Sequence, residues 1–204
     1  MKTSRIILMV GMMVSGLVFN SCSPEDDIKT PELKPLIVNE DFARGFVDNT
    51  TLGVPGWINI AETGTAKYKY QEYQHNAYAE FTSYQSGELV NVGWLISPQI
   101  DLDKQEGEKL TFEASQSYVS SASNSLEALI STDFDGTNVT TATWQHLNAT
   151  LPTTSSAYFA WIKSGVIDLS GYTGKAYIAF KVKGSGTNTA LDGGYQIDNV
   201  KVFN

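Results

Sequence analysis

The sequence predicts an all-β protein, an antiparallel β-sandwich or jelly roll, and three observations support this. Short apolar–polar alternations follow one another from Leu36 onward, separated by Gly, Pro, Asn, Asp and Ser. Apolar residues occupy every second position of Lys109–Ser115 and Lys175–Lys183, which is the period of a half-buried antiparallel strand. No stretch keeps helical periodicity over three turns. Hydrophobic residues make up 42% of the 204-residue chain, which is enough for a core.

The spacing of these runs is typical of sandwiches and jelly rolls, in which short strands recur with turn residues between them. We therefore expect one sandwich domain over residues 37–204. The predicted strands are Ile37–Phe42, Trp57–Ile60, Lys67–Tyr73, Ala77–Tyr84, Gly93–Ser97, Lys109–Tyr118, Ser125–Thr132, Trp144–Leu147, Ala157–Lys163, Ala176–Lys183 and Tyr195–Phe203.

The first residues have the pattern of a lipoprotein signal peptide. Two basic residues precede an uncharged run from Ile6 to Phe19, which is shorter than the roughly 20 apolar residues of a membrane-spanning helix. The small residue Ser21 precedes Cys22, which resembles a bacterial lipobox, where the cysteine is acylated and becomes the mature N-terminus. Residues 1–21 are thus predicted to be the signal peptide and Cys22 the lipid anchor. The alternative is an ordinary secretory signal with a chance cysteine.

The segment 22–36 is predicted to be an acidic, flexible tether, because it is rich in Pro and charge and has little to bury. Its cluster Glu25–Asp27 resembles the surface-export signal of Bacteroidetes lipoproteins. That resemblance predicts a protein anchored by lipid to the outer membrane and facing the cell exterior. The alternative is a solvated acidic linker without a sorting role.

Composition excludes several classes of function. A net charge of −8 argues against a nucleic-acid partner held by its phosphates. One Cys and two His exclude a disulfide framework and all-Cys or multi-His zinc sites. Neither histidine has a catalytic spacing, and no nucleophile elbow occurs. We therefore expect a non-enzyme, with a glycoside-active enzyme as the less favoured alternative, since sequence cannot select a carboxylate pair among 22 acids.

Two acidic residues stand out by their phase. Glu40 alternates with Val38 and Phe42, and Asp198 alternates with Val200 and Val202, so regular strands would point both acids inward. A buried carboxylate must be paired, hydrogen-bonded or bound to a metal. We expect Glu40 and Asp198 to help hold a structural Ca²⁺ ion, for which carboxylates and carbonyls are suitable ligands. The alternatives are a β-bulge that changes the phase, or backbone hydrogen bonds that satisfy both acids.

The aromatic residues offer candidate ligand contacts. Aromatic rings on a concave sheet face or a loop rim are surfaces on which sugar rings stack. Tyr68, Tyr70 and Tyr73 lie in the richest aromatic stretch and are predicted to contact a ligand if they are exposed. For Trp57 and Trp94 a place in the core is favoured instead.

Five segments in order give the chain a recognisable pattern: WLISPQIDL (Trp94–Leu102), LTFEAS (Leu110–Ser115), LEALISTDFDGTNVTTATWQHL (Leu126–Leu147), IDLSGYTGKAYIAFKV (Ile167–Val182) and GYQIDNVKV (Gly194–Val202). In this order they resemble the choice-of-anchor J domains of Bacteroidetes surface proteins, which are related to cleaved-adhesin and MAM-like jelly rolls. The resemblance covers most of the chain from Glu40 onward. It implies a jelly roll, surface attachment and no shared catalytic centre, and related modules act in adhesion or glycan binding.

We therefore expect a non-catalytic binding module at the cell surface, with a glycan or polysaccharide as its ligand. The alternative is an adhesin or assembly subunit that contacts another protein. A glycan binder should have exposed aromatic residues in a groove, whereas an assembly subunit should have a broad apolar patch or an unpaired sheet edge.

Overall fold

The computed structural model describes residues 36–204, and its regular elements are strands. The predicted signal peptide, the Cys22 anchor and the tether up to residue 35 lie outside the described residues. Between residues 36 and 204, no helix has the length and apolar character needed to cross a bilayer.

Thirteen strands form the described part of the chain. They agree with the predicted strands in order, but two are additional two-residue strands, and the strand predicted over Ala157–Lys163 shrinks to its last two residues. The strands are β1 (Leu36–Glu40), β2 (Ile58–Thr63), β3 (Lys69–Tyr73), β4 (Asn76–Phe81), β5 (Asn91–Ile96), β6 (Ile100–Asp101), β7 (Lys109–Ser117), β8 (Ser125–Ser131), β9 (Gln145–His146), β10 (Ile162–Lys163), β11 (Ile167–Asp168), β12 (Lys175–Gly184) and β13 (Gly194–Phe203).

The strands form two antiparallel sheets. The seven-stranded sheet has the order β10-β7-β13-β4-β3, with β1 paired to β13 and β11 paired to β7. The six-stranded sheet has the order β2-β5-β12-β8-β9, with β6 paired to β12. Apart from β3–β4 and β8–β9, the strands that pair are not consecutive in the chain, as crossed connections between two packed sheets require. The predicted fold class, an all-β antiparallel sandwich of the jelly-roll type, is confirmed.

The main core lies between the two sheets. Leu110, Phe112 and Ala114 of β7 face Ala176, Ile178, Phe180 and Val182 of β12, and all of them are buried. The rings of Phe112 and Phe180 meet edge to face at 4.9 Å. The alternation read from these two strands in the sequence is therefore confirmed, and it fixes which side chains point away from the core.

A second, smaller core covers the outer face of the six-stranded sheet. Trp94 of β5 is buried there, as predicted, and its ring lies 5.0 Å from that of Trp144. The segment 132–144 supplies Phe134, whose ring is 5.3 Å from Trp144, and the buried Val139. Because this segment packs over the six-stranded sheet, the open face of the sandwich is the outer face of the seven-stranded sheet.

Candidate ligand-binding groove

A groove runs across the outer face of the seven-stranded sheet. Side chains alternate along each strand, so those next to the core residues of β4, β7 and β13 point to this face. Two cavities of about 430 and 650 Å³ share Phe159 and together make up the groove. The first is lined by Tyr73, Gln74, Asn76, Tyr78, Glu113, Ser115, Phe159, Trp161, Gln196, Asp198 and Asn199, and the second by Glu80, Thr82, Tyr84, Ser117, Tyr118, Phe159, Thr189, Asp192 and Gly194.

The walls of the groove are aromatic. The exposed aromatic residues of the described chain all belong to this region: five line the two cavities, and the sixth, Tyr158, packs on Tyr118 with ring centroids 4.9 Å apart. Trp161 is 37% exposed and meets the Tyr78 ring edge to face at 5.5 Å. Exposed aromatic rings gathered at one place mark an interaction site, whereas scattered ones do not. The five lining residues are Tyr73, Tyr84, Tyr118, Phe159 and Trp161.

One buried glutamine holds the aromatic wall in place. Gln116 donates from Nε2 to the Ser156 carbonyl at 2.6 Å and accepts at Oε1 from the Val119 N–H at 3.0 Å. Its own carbonyl accepts from the Phe159 N–H at 2.8 Å. Tyr118 and Phe159 both adopt positive φ, 59° and 58°, a conformation uncommon for large side chains that persists only where the surroundings enforce it. The wall is therefore built before any ligand arrives.

The floor of the groove is a network of polar side chains from three strands. Gln196 of β13 accepts from the Ser115 hydroxyl at 2.6 Å and donates to Glu80 at 2.8 Å and to Ser117 at 3.1 Å. Gln196, Ser115 and Ser117 are buried. Such connected networks fix side-chain positions, so the floor presents a rigid polar surface between aromatic walls.

Two carboxylates meet beside this network. Asp198 of β13 lies directly opposite Glu113 of β7 in the antiparallel register. The Asn199 amide donates to both, at 3.2 Å to Asp198 and 3.1 Å to Glu113. Asp198 also accepts from the Asn76 amide at 3.0 Å and from the Asn199 N–H at 2.6 Å.

Burial governs the ionisation of the groove. Asp198 is only 2% exposed, and desolvation, together with the nearby charge of Glu113, raises its pKa to about 6 against the opposing effect of its hydrogen bonds. Desolvation likewise raises the pKa of Glu80, and it raises that of Tyr78 to about 12. Burial therefore destabilises the ionised forms of these three groups relative to their neutral forms.

Tyr68 and Tyr70 are corrected by the structure. Both are buried, because the face they share is the core face of the sheet. The Tyr68 hydroxyl donates to the Phe180 carbonyl at 3.2 Å, and its ring lies 5.4 Å from Phe81. The prediction of ligand contact is wrong for these two residues. Tyr73 has the opposite phase, is 66% exposed and lines the groove, so its contact with a ligand stays a prediction.

The inward orientation predicted for Asp198 is also wrong, because β13 contains an irregularity. The register with β7 shifts between Asp198 and Lys201, and Asn199 adopts a φ of 52°. This bulge changes the phase, so Val200 and Val202 face the core while Asp198 faces the groove.

Glu40 is half-buried, and its Oε1 accepts from the Phe42 N–H at 2.7 Å. Desolvation raises the pKa of this carboxyl group. Within residues 36–204, no group of three or more His, Cys, Asp or Glu is arranged to hold a metal ion. The hydrogen bonds of Glu40 and Asp198 correspond to the alternative foreseen for them, and a calcium ion held by this pair stays a prediction.

Sequence reasoning missed most of the groove. Trp161 and Phe159 fell inside a predicted strand but belong to the loop before β10. Glu113, Gln196 and Asn76 carried no local signal. The alternation along each strand nevertheless shows that these side chains lie on the face opposite the neighbouring core residues.

Solved structures share this fold. The K3 cleaved adhesin domain of Lys-gingipain from Porphyromonas gingivalis matches with a TM-score of 0.52 at 18% identity, covering 83% of this chain and 100% of that one. The K1 cleaved adhesin domain of the same protein matches with a TM-score of 0.52 at 21% identity, covering 81% and 96%. The CBM22-1 xylan-binding domain of Xyn10C from Paenibacillus barcinonensis is more distant, with a TM-score of 0.44 at 15% identity, covering 83% and 94%.

The likeness to the two cleaved adhesin domains shows a cleaved-adhesin-like fold, and the fold alone. No protein-family model matches the chain. No curated protein matches it in sequence either.

Proposed function

We propose that the protein is a non-catalytic module that binds a glycan chain in the groove. The observation that carries the proposal is the gathering of the exposed aromatic rings of the described chain along one polar-floored groove. Aromatic faces stack on the apolar faces of sugar rings, and the polar floor offers donors and acceptors for hydroxyl groups. The two cavities adjoin at Phe159, so that a chain ligand could extend from one into the other.

The β3 edge of the seven-stranded sheet supports this proposal over an assembly subunit. The backbone of β3 and the preceding Tyr68 is hydrogen-bonded along its outer side by residues 49–52, with Asn49 N–H to the Tyr70 carbonyl at 2.8 Å and Leu52 N–H to the Tyr68 carbonyl at 3.0 Å. A strand edge occupied in this way offers little for strand addition by a partner. The groove is therefore the better candidate for the interaction site.

The Asp198–Glu113 pair favours a second candidate, a glycoside-active enzyme. Two carboxylates in a cleft, one with a raised pKa, are the parts of a glycosidase. Both carboxylates, however, accept from the Asn199 amide, and Asp198 lies below the groove surface with 2% exposure. A general acid must reach the glycosidic oxygen, so binding remains the favoured function.

Affinity electrophoresis and calorimetry on a panel of soluble polysaccharides test the proposal. We expect binding to at least one polysaccharide, weakened at least tenfold by Trp161→Ala and by Tyr118→Ala. Leu89→Ala is the matched control, because Leu89 is an exposed apolar residue outside the groove. Binding that is unaffected by both aromatic substitutions, or absent across the panel, would reject the proposal. Release of reducing sugar, abolished by Glu113→Gln, would establish the enzyme instead.

The proposal includes display at the outer surface of the cell through lipidated Cys22, in a protein of the choice-of-anchor J type. The N-terminal sequence supports this display, because Cys22 is followed by an acidic segment that resembles a surface-export signal. Metabolic labelling with a tagged fatty acid should mark the wild type and leave Cys22→Ser unlabelled. Protease treatment of intact cells should remove the protein, and survival of the labelled protein would place it on the inner side of the outer membrane.

A further inference from the structure

The lining of the groove is acidic. Its charged residues are Glu80, Glu113, Asp192 and Asp198, and no Lys, Arg or His of the described chain lines either cavity. Three lysines flank the groove: Lys69 pairs with Glu80 in register, Lys163 pairs with Glu113 on the far side of β7, and Lys201 lines a neighbouring cavity with Glu113 and Lys163. Within residues 36–204 the ion pairs involve Glu72, Asp101 and Glu62, so the groove acids are left without a cation in salt-bridge contact.

Two of these acids oppose one another. Like charges directly opposite in an antiparallel pair destabilise a sheet, and Asp198 and Glu113 have this relationship. Leaving a buried charge uncompensated costs more than leaving an exposed one. The Asn199 amide reduces the repulsion by donating to both groups, but it carries no charge. A cation in the groove above the pair would remove the remaining repulsion.

Aromatic rings line the same cavity. Trp161 and Tyr78 pack against each other and line the cavity together with Glu113 and Asp198. Cations are attracted to the faces of Trp and Tyr as well as to carboxylates. Because Glu113 is only half-buried and the Asn199 amide is the one donor to it in the described chain, its second oxygen is free to accept from a ligand.

We propose that the groove prefers glycans with protonated amino groups, such as polymers of glucosamine, over neutral and acidic glycans. An ammonium group in the first cavity is bound by Glu113, is stabilised by the negative charge of Asp198 beneath it, and lies against the face of Trp161. A uronic acid in the same position would place a third carboxylate beside this pair. The inference rests on the proposed function, since it specifies the ligand of that groove.

Calorimetry with four tetrasaccharides tests the preference: glucosamine tetramer, its N-acetylated form, cellotetraose and tetragalacturonate. At low salt and a pH of about 6.5 we expect the glucosamine tetramer to bind at least tenfold more tightly than cellotetraose. The advantage should shrink at high salt, because partly exposed charges are screened. Glu113→Gln and Asp198→Asn should each reduce it several-fold. Glu127→Gln, which removes an acid from β8 of the opposite sheet, should leave it unchanged.

Each outcome decides between the two proposals. Equal affinity for the glucosamine tetramer and cellotetraose, with loss of both on Trp161→Ala, rejects the charge preference and keeps glycan binding. Tightest binding of tetragalacturonate also rejects the preference. Binding of none of the four, together with binding of a lysine-rich peptide, overturns both proposals, because the groove would then serve a basic protein.

Discussion

Asp198 of β13 and Glu113 of β7 face one another across an antiparallel pair and share the amide of Asn199 as a donor. Asp198 shares the groove face with Gln196, two positions before it, and the bulge at Asn199 that follows returns Val200 and Val202 to the core. The pair thus joins a local backbone irregularity to the chemistry of the groove, and its ionisation should be measurable in the stability of the fold.

The ionisation of Asp198 should make the free energy of unfolding depend on pH. Its pKa rises on folding to about 6 from its ordinary value of 3.8, so the folded state binds a proton more tightly than the unfolded state. The group therefore favours folding at low pH, and this contribution is lost as the pH rises through about 6. Urea unfolding of Asp198→Asn between pH 4 and 7 should lack a decline of about 2–3 kcal/mol that the wild type shows.

Asp168 provides a control of opposite sign. The Ser170 N–H donates to its carboxylate at 2.9 Å and holds its pKa below the ordinary range. Its contribution is therefore present at neutral pH and lost as the pH falls through the lowered pKa. Asp168→Asn should change only the acid limb of the stability profile. An Asp198→Asn profile identical to that of the wild type from pH 4 to 7 would contradict the assignment.

Gln116 should matter for ligand affinity although it does not line the groove. Gln116→Ala removes a buried donor and acceptor, leaving the Ser156 carbonyl and the Val119 N–H without their partner. We expect a loss of about 1–3 kcal/mol in unfolding free energy, and faster amide hydrogen exchange in residues 153–159. Ligand affinity should fall with this loosening. Gln99→Ala, which removes an exposed hydrogen bond to Tyr177, should do neither.

Gly193 should be required for the position of Tyr118. A Cβ at Gly193 would lie 2.7 Å from the Val119 nitrogen and 2.8 Å from the Tyr118 carbonyl carbon. These are backbone atoms, so the 118–119 segment itself must shift. Gly193→Ala should lower the unfolding free energy by about 1–3 kcal/mol and weaken ligand binding through Tyr118. Unchanged binding by a folded variant would show that Tyr118 does not contact the ligand.

Tyr68 and Tyr73 should separate stability from binding. Tyr68→Phe removes a buried hydrogen bond to the Phe180 carbonyl and should cost about 1 kcal/mol of stability, with affinity unchanged. Tyr73→Ala should leave the melting temperature within a degree or two and weaken binding, because the side chain is exposed and lines the groove. The reverse result for either variant would contradict their assignment to core and groove.

A structural calcium ion held by Glu40 and Asp198 predicts a melting temperature that rises with added calcium and falls with a chelator. Glu40→Gln should abolish the response. A melting temperature that is the same in excess calcium and in excess chelator would reject the ion.

The sequence allowed the fold to be predicted better than the site. The alternation in β7 and β12 predicted two core faces correctly, because apolar burial determines the phase of a regular strand. Because Tyr68 and Tyr70 are two positions apart, the sequence shows that they share a face. Which face is buried, however, depends on a sheet whose strands come from distant parts of the chain. The bulge at Asn199 had no sequence signal. The contact of Asn76 with Asp198 joins residues 122 positions apart, which no local pattern records.

Along β4, β7 and β13, side chains alternate between the core face and the groove face of the sheet. Ala77, Ala79 and Phe81 support the fold, whereas Tyr78 and Glu80 between them face the groove. Substitutions at the exposed groove positions, such as Tyr73 and Trp161, therefore leave the core packing intact, and a new ligand preference can arise there by point mutation at small thermodynamic cost. An insertion of one residue within a strand would exchange the two sets beyond it, except where the strand absorbs the extra residue as a bulge, as β13 does at Asn199. Diversification in this architecture should thus proceed by replacement within strands and by length change mainly in the loops at the groove rim.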